Sequence, residues 1–129
     1  MLGSCLCGAI AYEVEQLDLP ITHCLTCQKA HAAPFVPTAG VLRQHFRWLR
    51  GQAQLGSFAS SPGKLRHFCR QCGSHLLAER EGSAYVILRV ATLDDAPAQQ
   101  ASAHIWTSHV RSWLEVDHLP RWPEWSPDR

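Results

Sequence analysis

"HFCRQCGSHL" occupies residues 67–76 and sets Cys69 and Cys72 two residues apart, with Gly73 directly after the second. A Cys-x-x-Cys turn brings two sulfurs to one point, near the bond length of about 2.3 Å that tetrahedral zinc requires. Glycine in the next position permits the positive φ that such a knuckle commonly needs. Upstream, "GSCLCGAI" at 3–10 carries Cys5 and Cys7, again with a glycine, Gly8, following at once. One residue between two cysteines on extended chain projects both side chains to the same side. A third pair, Cys24 and Cys27, sits in "THCLTCQKAH" at 22–31. All six cysteines of the 129-residue chain therefore fall into three close pairs.

Two hooks supply four thiolates, which closes a structural zinc site. The pairing favoured is Cys5/Cys7 with Cys69/Cys72, because each hook is followed by glycine and then by strand-like sequence, so that two similar knuckles feeding adjacent strands clamp one ion. Disulfides and free buried thiols remain as alternatives. A clamp between residues 5 and 69 would close a long loop. Structural zinc contributes about 10–16 kcal/mol of apparent binding free energy, comparable with the roughly 5–15 kcal/mol that holds a typical domain folded. Cys24 and Cys27 are followed by Gln28 and Lys29 instead and are read as a turn. Two thiolates are too few for a strong site, and the nearby candidates to complete it are Thr22, His23 and His31. An incomplete set leaves a position for water or substrate, the catalytic pattern. Free thiols in a turn and a reactive dithiol are the other readings of this pair.

Outside the cysteines, Ile10, Tyr12 and Val14 alternate with Ala11, Glu13 and Glu15, which is strand periodicity. Extended chain is also expected through Val36 and Val41, through Phe46 and Trp48, before the Ser61-Pro62-Gly63 turn, over 65–68 and 74–78, and along the apolar run 84–90, which Asp94, Asp95 and Pro97 break. "HIWTSHVRSWLEV" at 104–116 has no clean period. The tail from Leu119 holds three prolines and cannot be a regular helix; Trp122 and Trp125 are expected to cover apolar surface as an extended strap. The expectation is a β-rich single domain over residues 1–129. Its 46% hydrophobic and 18% charged residues argue against disorder. A net charge of +1 gives no electrostatic footprint for nucleic acid or an anionic membrane. No leader or membrane-spanning stretch is visible, so a soluble cytoplasmic protein is expected, where cysteines serve as ligands or reactive thiols more often than as disulfides.

Four stretches together resemble the glutathione-dependent formaldehyde-activating enzyme family, whose domain is shared with centromere protein V: "GSCLCGAIAYEV" at 3–14, "HCLTCQKAHAAPF" at 23–35, "SSPGKLRHFCRQCGSHL" at 60–76 and, more weakly, "HIW…RSW" at 104–113. The resemblance implies an Mss4-like, zinc-clamped β fold with short irregular C-terminal segments, and a structural zinc on Cys5, Cys7, Cys69 and Cys72. It also implies a second zinc on a C-H-C-x-x-C motif, of which Cys24 and Cys27 remain here while Thr22 stands in place of the first cysteine. A threonine hydroxyl is a poor substitute for a thiolate on zinc. The implied activity is carbon–sulfur bond chemistry on a small thiol adduct of the formaldehyde–glutathione kind, with Cys24 and Cys27 as ligands of the catalytic metal. The competing reading is a non-catalytic zinc-stabilised binding domain whose second site is lost or altered. Lys64, Arg66 and Arg70 are candidates to meet an anionic thiol. Ser60 and Ser61 are read as turn residues, and His67 and His75 as flanking groups.

Overall fold

In a computed structural model, residues 1–18, 20–114, 119, 120 and 123 are described; Trp122 and Trp125, the expected strap, lie outside them. The described chain forms two sheets and one short helix. The strands are β1 (Leu2–Ser4), β2 (Ala11–Val14), β3 (Pro20–Thr22), β4 (Val36–Leu42), β5 (Phe46–Arg50), β6 (Leu55–Ser61), β7 (Lys64–Cys69), β8 (His75–Arg80), β9 (Tyr85–Arg89) and β10 (Ala103–Ile105), and α1 (Leu25–His31) separates β3 from β4. The smaller sheet runs β1-β2-β5, the larger β10-β3-β4-β9-β8-β7-β6. The β10–β3 pair is parallel; the other pairings are antiparallel. The β-rich fold expected from the sequence is the fold observed.

The alternation in β2 does what its period demands. Ile10, Tyr12 and Val14 are fully buried and meet Ala39, Val41, Leu77, Val86 and Leu88 of the larger sheet. Phe46 of β5 stacks on the Tyr12 ring at 5.4 Å, and Trp48 meets that ring edge-on at 6.3 Å. Asp94 and Asp95, which end the β9 region, also anchor the amino terminus: Ser4 Oγ donates to Asp94 at 2.9 Å and the Leu2 N–H to Asp95 Oδ2 at 2.6 Å.

Two expectations need correction. The knuckles do not feed adjacent strands: β2 and β8 lie in different sheets. The Cys24–Cys27 pair is not an isolated turn but the entry to α1, with Cys24 as the residue before its first turn. The helix ends at Ala32 in the left-handed region, whose N–H bonds back to Lys29.

The larger sheet also buries part of its second face. On the face turned from the smaller sheet, Arg66 of β7 stands opposite Ala78 of β8, which stands opposite Ile87 of β9, with Arg89 two residues further on. The small Ala78 side chain leaves room between the strands, and both arginines are buried, 3% and 4% exposed. The 103–111 segment closes over α1 through Gln28, whose amide donates to the carbonyls of His23 and His109 while its Oε1 accepts from Arg111.

Candidate metal centre and adjoining dithiol

The two glycine-terminated hooks are built alike. The Cys5 N–H donates to the Ile10 carbonyl at 3.1 Å and the Cys69 N–H to the Ser74 carbonyl at 2.9 Å, each five residues ahead. The N–H of Gly8 turns back to Cys5 and that of Gly73 to Cys69, with φ of 76° and 78°. Ser74 ties the hooks together: its Oγ accepts the Leu6 N–H at 3.0 Å and lies 3.3 Å from Cys72 Sγ.

The four sulfurs of Cys5, Cys7, Cys69 and Cys72 all lie within 4.8 Å of one another. Cys5 and Cys7 are 3.6 Å apart, Cys7 and Cys69 3.8 Å. A sulfur tetrahedron around zinc has edges of about 3.8 Å, given bonds of about 2.3 Å, so the donor set fits one tetrahedral ion. All six cysteines are free thiols. Cys69 is fully buried, Cys5 nearly so, and Cys7 faces solvent. Protonation is uneven across the set. The Ser74 hydroxyl and N–H, with the Cys7 N–H, pull Cys72 down to about 5. The Ala9 N–H favours the Cys7 thiolate, but desolvation and the neighbouring sulfurs outweigh it and raise Cys7 to about 11. Burial opposes ionisation of Cys5, yet the Ile10 N–H and the adjacent thiols hold it below its usual range. Four thiols at this spacing repel one another as anions, and a cation at their centre removes that repulsion.

Cys24 and Cys27 are set differently. Among the described residues, no histidine, carboxylate or further cysteine joins them to make three donor atoms within metal-binding reach. His23 turns its Nε2 to His104 Nδ1 at 2.9 Å. His31 packs against His75 at 4.6 Å between ring centres. The buried Thr22 hydroxyl accepts the Cys24 N–H at 3.3 Å. Two cations occupy the surroundings instead. Both terminal nitrogens of Arg66 lie 3.8 Å from Cys27 Sγ, and the buried Arg89 is near enough for Cys27 to favour its charge. Two fixed positive charges beside a pair of thiolates disfavour a dication there, so these residues do not fit a second metal.

A cavity of about 550 Å³ opens beside the pair, walled by Leu25, Phe58 and Phe68 and edged by Thr26, Arg66 and His75. Burial, with the charges of Arg89, His75 and Arg66, holds His31 down at about 3; the same causes lower His75, and burial beside Arg66 lowers Lys64. Cys24 is lowered too: desolvation works against its thiolate, but the N–H groups of Cys27 and Thr26 and the Cys27 thiol prevail. The sequence placed Lys64 and Arg66 near an anion site; Ser60 also reaches the cavity wall. Arg70 is exposed, and His67 is engaged with Ser57 and Glu79. Arg89 and Gln28 were missed, since a lone arginine closing an apolar run carries no signal of burial.

Fold and site together define a small β domain whose two sheets are stapled by a Cys-x-Cys hook and a Cys-x-x-Cys hook. The chain belongs to the glutathione-dependent formaldehyde-activating enzyme family, whose profile matches residues 1–109. It is 32% identical over 76 residues to an uncharacterized lyase of Schizosaccharomyces pombe, a match covering 57% of this chain and 53% of that one, so the chain spans about half the length of this relative. A crystal structure of a Rhodobacter sphaeroides protein shares the fold, with a TM-score of 0.66 at 24% identity over 81% of this chain and 99% of the other. No helix among the described residues is long and apolar enough to cross a membrane.

Proposed function

We propose that the protein is a zinc-stabilised enzyme of the carbon–sulfur lyase type, acting on a small thiol adduct of an aldehyde in the cavity beside Cys27. Four thiolates in a tetrahedron suit zinc. With four protein ligands that ion is closed to substrate, so its contribution is to hold the hooks together. The reaction therefore falls to the cavity, and the observation that carries the reading is the buried Arg66 guanidinium set in that largely apolar wall. Making or breaking a carbon–sulfur bond to an aldehyde carbon requires a thiolate as nucleophile or leaving group. A buried guanidinium stabilises that charge more than a fully exposed one does. Leu25, Phe58 and Phe68 accommodate the carbon skeleton. Free cysteines throughout the chain suit a reducing, cytoplasmic setting. Neither a nucleic acid nor a membrane is proposed as a partner.

The test is the exchange rate between formaldehyde, glutathione and their S-hydroxymethyl adduct, followed by NMR with and without the protein. Acceleration that falls in Arg66→Gln is the expected result. A second reading, a non-catalytic zinc-stabilised binding domain, is favoured by the lack of a third donor at Cys24 and Cys27. Saturable binding of the adduct with no acceleration establishes that reading instead.

A further inference from the structure

Of the five buried polar atoms left without a partner among the described residues, four belong to one neighbourhood: His31 Nε2, Arg66 Nε, His75 Nδ1 and Arg89 Nε. No carboxylate pairs with either arginine among the described residues; the acidic side chains in ion pairs are Glu13, Glu15 and Glu79, held by other groups. A buried guanidinium without a counter-charge is costly. The groups facing the arginines are Lys64 on β7, His31 on α1, His75 on β8 and Cys27 on α1. Of these only the cysteine can be an anion. The Cys27 sulfur thus stands against Arg66 where a carboxylate would ordinarily be.

The two sulfurs are also differently accessible. Cys27 is 7% exposed, whereas Cys24 is half-buried and directly precedes Leu25 and Thr26, which line the cavity. One residue precedes α1 and the other ends its first turn, so the thiols stand one turn apart. We infer that Cys24 and Cys27 form a metal-free, arginine-held dithiol that reduces small anionic disulfides entering the cavity. Cys24 thiolate attacks one sulfur of the disulfide; the S–S bond breaks and the first small thiolate leaves. Cys27 then attacks Cys24 in the mixed disulfide, the Cys24–Cys27 bond forms, and the second small thiolate leaves. The dithiol loses two electrons, the disulfide gains two, and the two thiol protons pass through solvent to the released thiolates. Arg66 and Lys29, both on the cavity wall, select a disulfide with an anionic group, and a small-molecule thiol in excess returns the pair to the reduced state.

The experiment uses the full metal-loaded chain with three probes of similar size: 3,3′-dithiodipropionate (anionic), 2-hydroxyethyl disulfide (neutral) and cystamine (cationic). The expected result is two small thiols released per chain, a Cys24–Cys27 disulfide located by mass spectrometry, unchanged metal content, and fastest reaction with the anionic probe. Cys27→Ser stops at a mixed disulfide on Cys24. Arg66→Gln slows the reaction by about tenfold, the effect of one unit in thiolate pKa, and Arg66→Lys, which keeps the charge, restores most of it should the glutamine variant not fold. Two metal ions per chain, falling to one in Cys24→Ser, overturn the inference, as does reaction confined to the Cys5, Cys7, Cys69 and Cys72 set. This readout is independent of aldehyde chemistry, so it stands or falls apart from the lyase assay.

Discussion

Cys7 Sγ and Cys69 Sγ stand 3.8 Å apart although 62 residues separate them in the chain. Cys7 belongs to the loop leaving β1 and Cys69 to the end of β7, so this contact joins the smaller sheet to the larger one. Replacing the fully buried Cys69 by serine is expected to abolish metal binding and leave the chain unfolded or insoluble, at a cost on the order of 10 kcal/mol. Metal content and far-UV circular dichroism of the purified variant check this. A soluble variant with a cooperative melt refutes the structural role.

Position 22 tests what keeps a second ion away. Thr22 is buried, and its hydroxyl accepts the Cys24 N–H. Thr22→Cys supplies a third thiolate, but with Arg66 still against Cys27 its metal content is expected to stay unchanged, and an extra ion in this variant alone refutes exclusion by charge. Uptake unchanged in Thr22→Cys but gained in Thr22→Cys combined with Arg66→Gln shows that the guanidinium, rather than the missing sulfur, is decisive.

His31 gives the protein an acid-sensitive term with a definite sign. Its value in the fold is about 3, against 6.5 ordinarily, because burial and the nearby arginines resist its charge. As pH falls from 6.5 toward 3 the unfolded chain takes up a proton that the folded chain refuses, so stability drops through that window. His31→Phe should remove the His31 share of this dependence and leave that of His75. Denaturation of both proteins between pH 7 and 5 is expected to show the wild type losing stability faster, by up to about 1.4 kcal/mol per pH unit. Parallel curves refute the assignment.

Gly3 pairs with Tyr12 across β1 and β2, and a Cβ at Gly3 would run into the Tyr12 ring. Tyr12 cannot swing aside, because it is fully buried and its hydroxyl meets Thr92 Oγ1 at 2.7 Å. Gly3→Ala is expected to cost about 1–3 kcal/mol, the usual range for overpacking. A thermal melt within a degree of wild type contradicts the packing described.

The sequence disclosed some of this well. Cys5/Cys7 and Cys69/Cys72 were legible as partners because each knuckle needs a positive φ and each is followed by the residue that supplies it. The β2 face was legible from its period of two. What stayed hidden depended on partners distant in the chain. Alternation says which residues of β2 face inward but not which strand lies alongside, so β2 and β8 were wrongly placed together. The three-residue strands β3 and β10 are too short to show any period. Helix α1, seven residues long, offers less than two turns of pattern, and its paired cysteines drew the reading toward a turn. Arg66 was noticed as a charge near a hook, but its contact with Cys27 arises only when β7 and α1 are packed together.

The Ser74 hydroxyl that receives the Leu6 N–H bears on how the protein is made. During synthesis Cys5 and Cys7 leave the ribosome while Cys69, Cys72 and Ser74 are still untranslated. For that interval the early pair has neither its mate nor its ion, and nothing shields it from oxidants. The yield of finished protein is then governed by how well the surroundings keep two nascent sulfurs reduced and deliver metal on time.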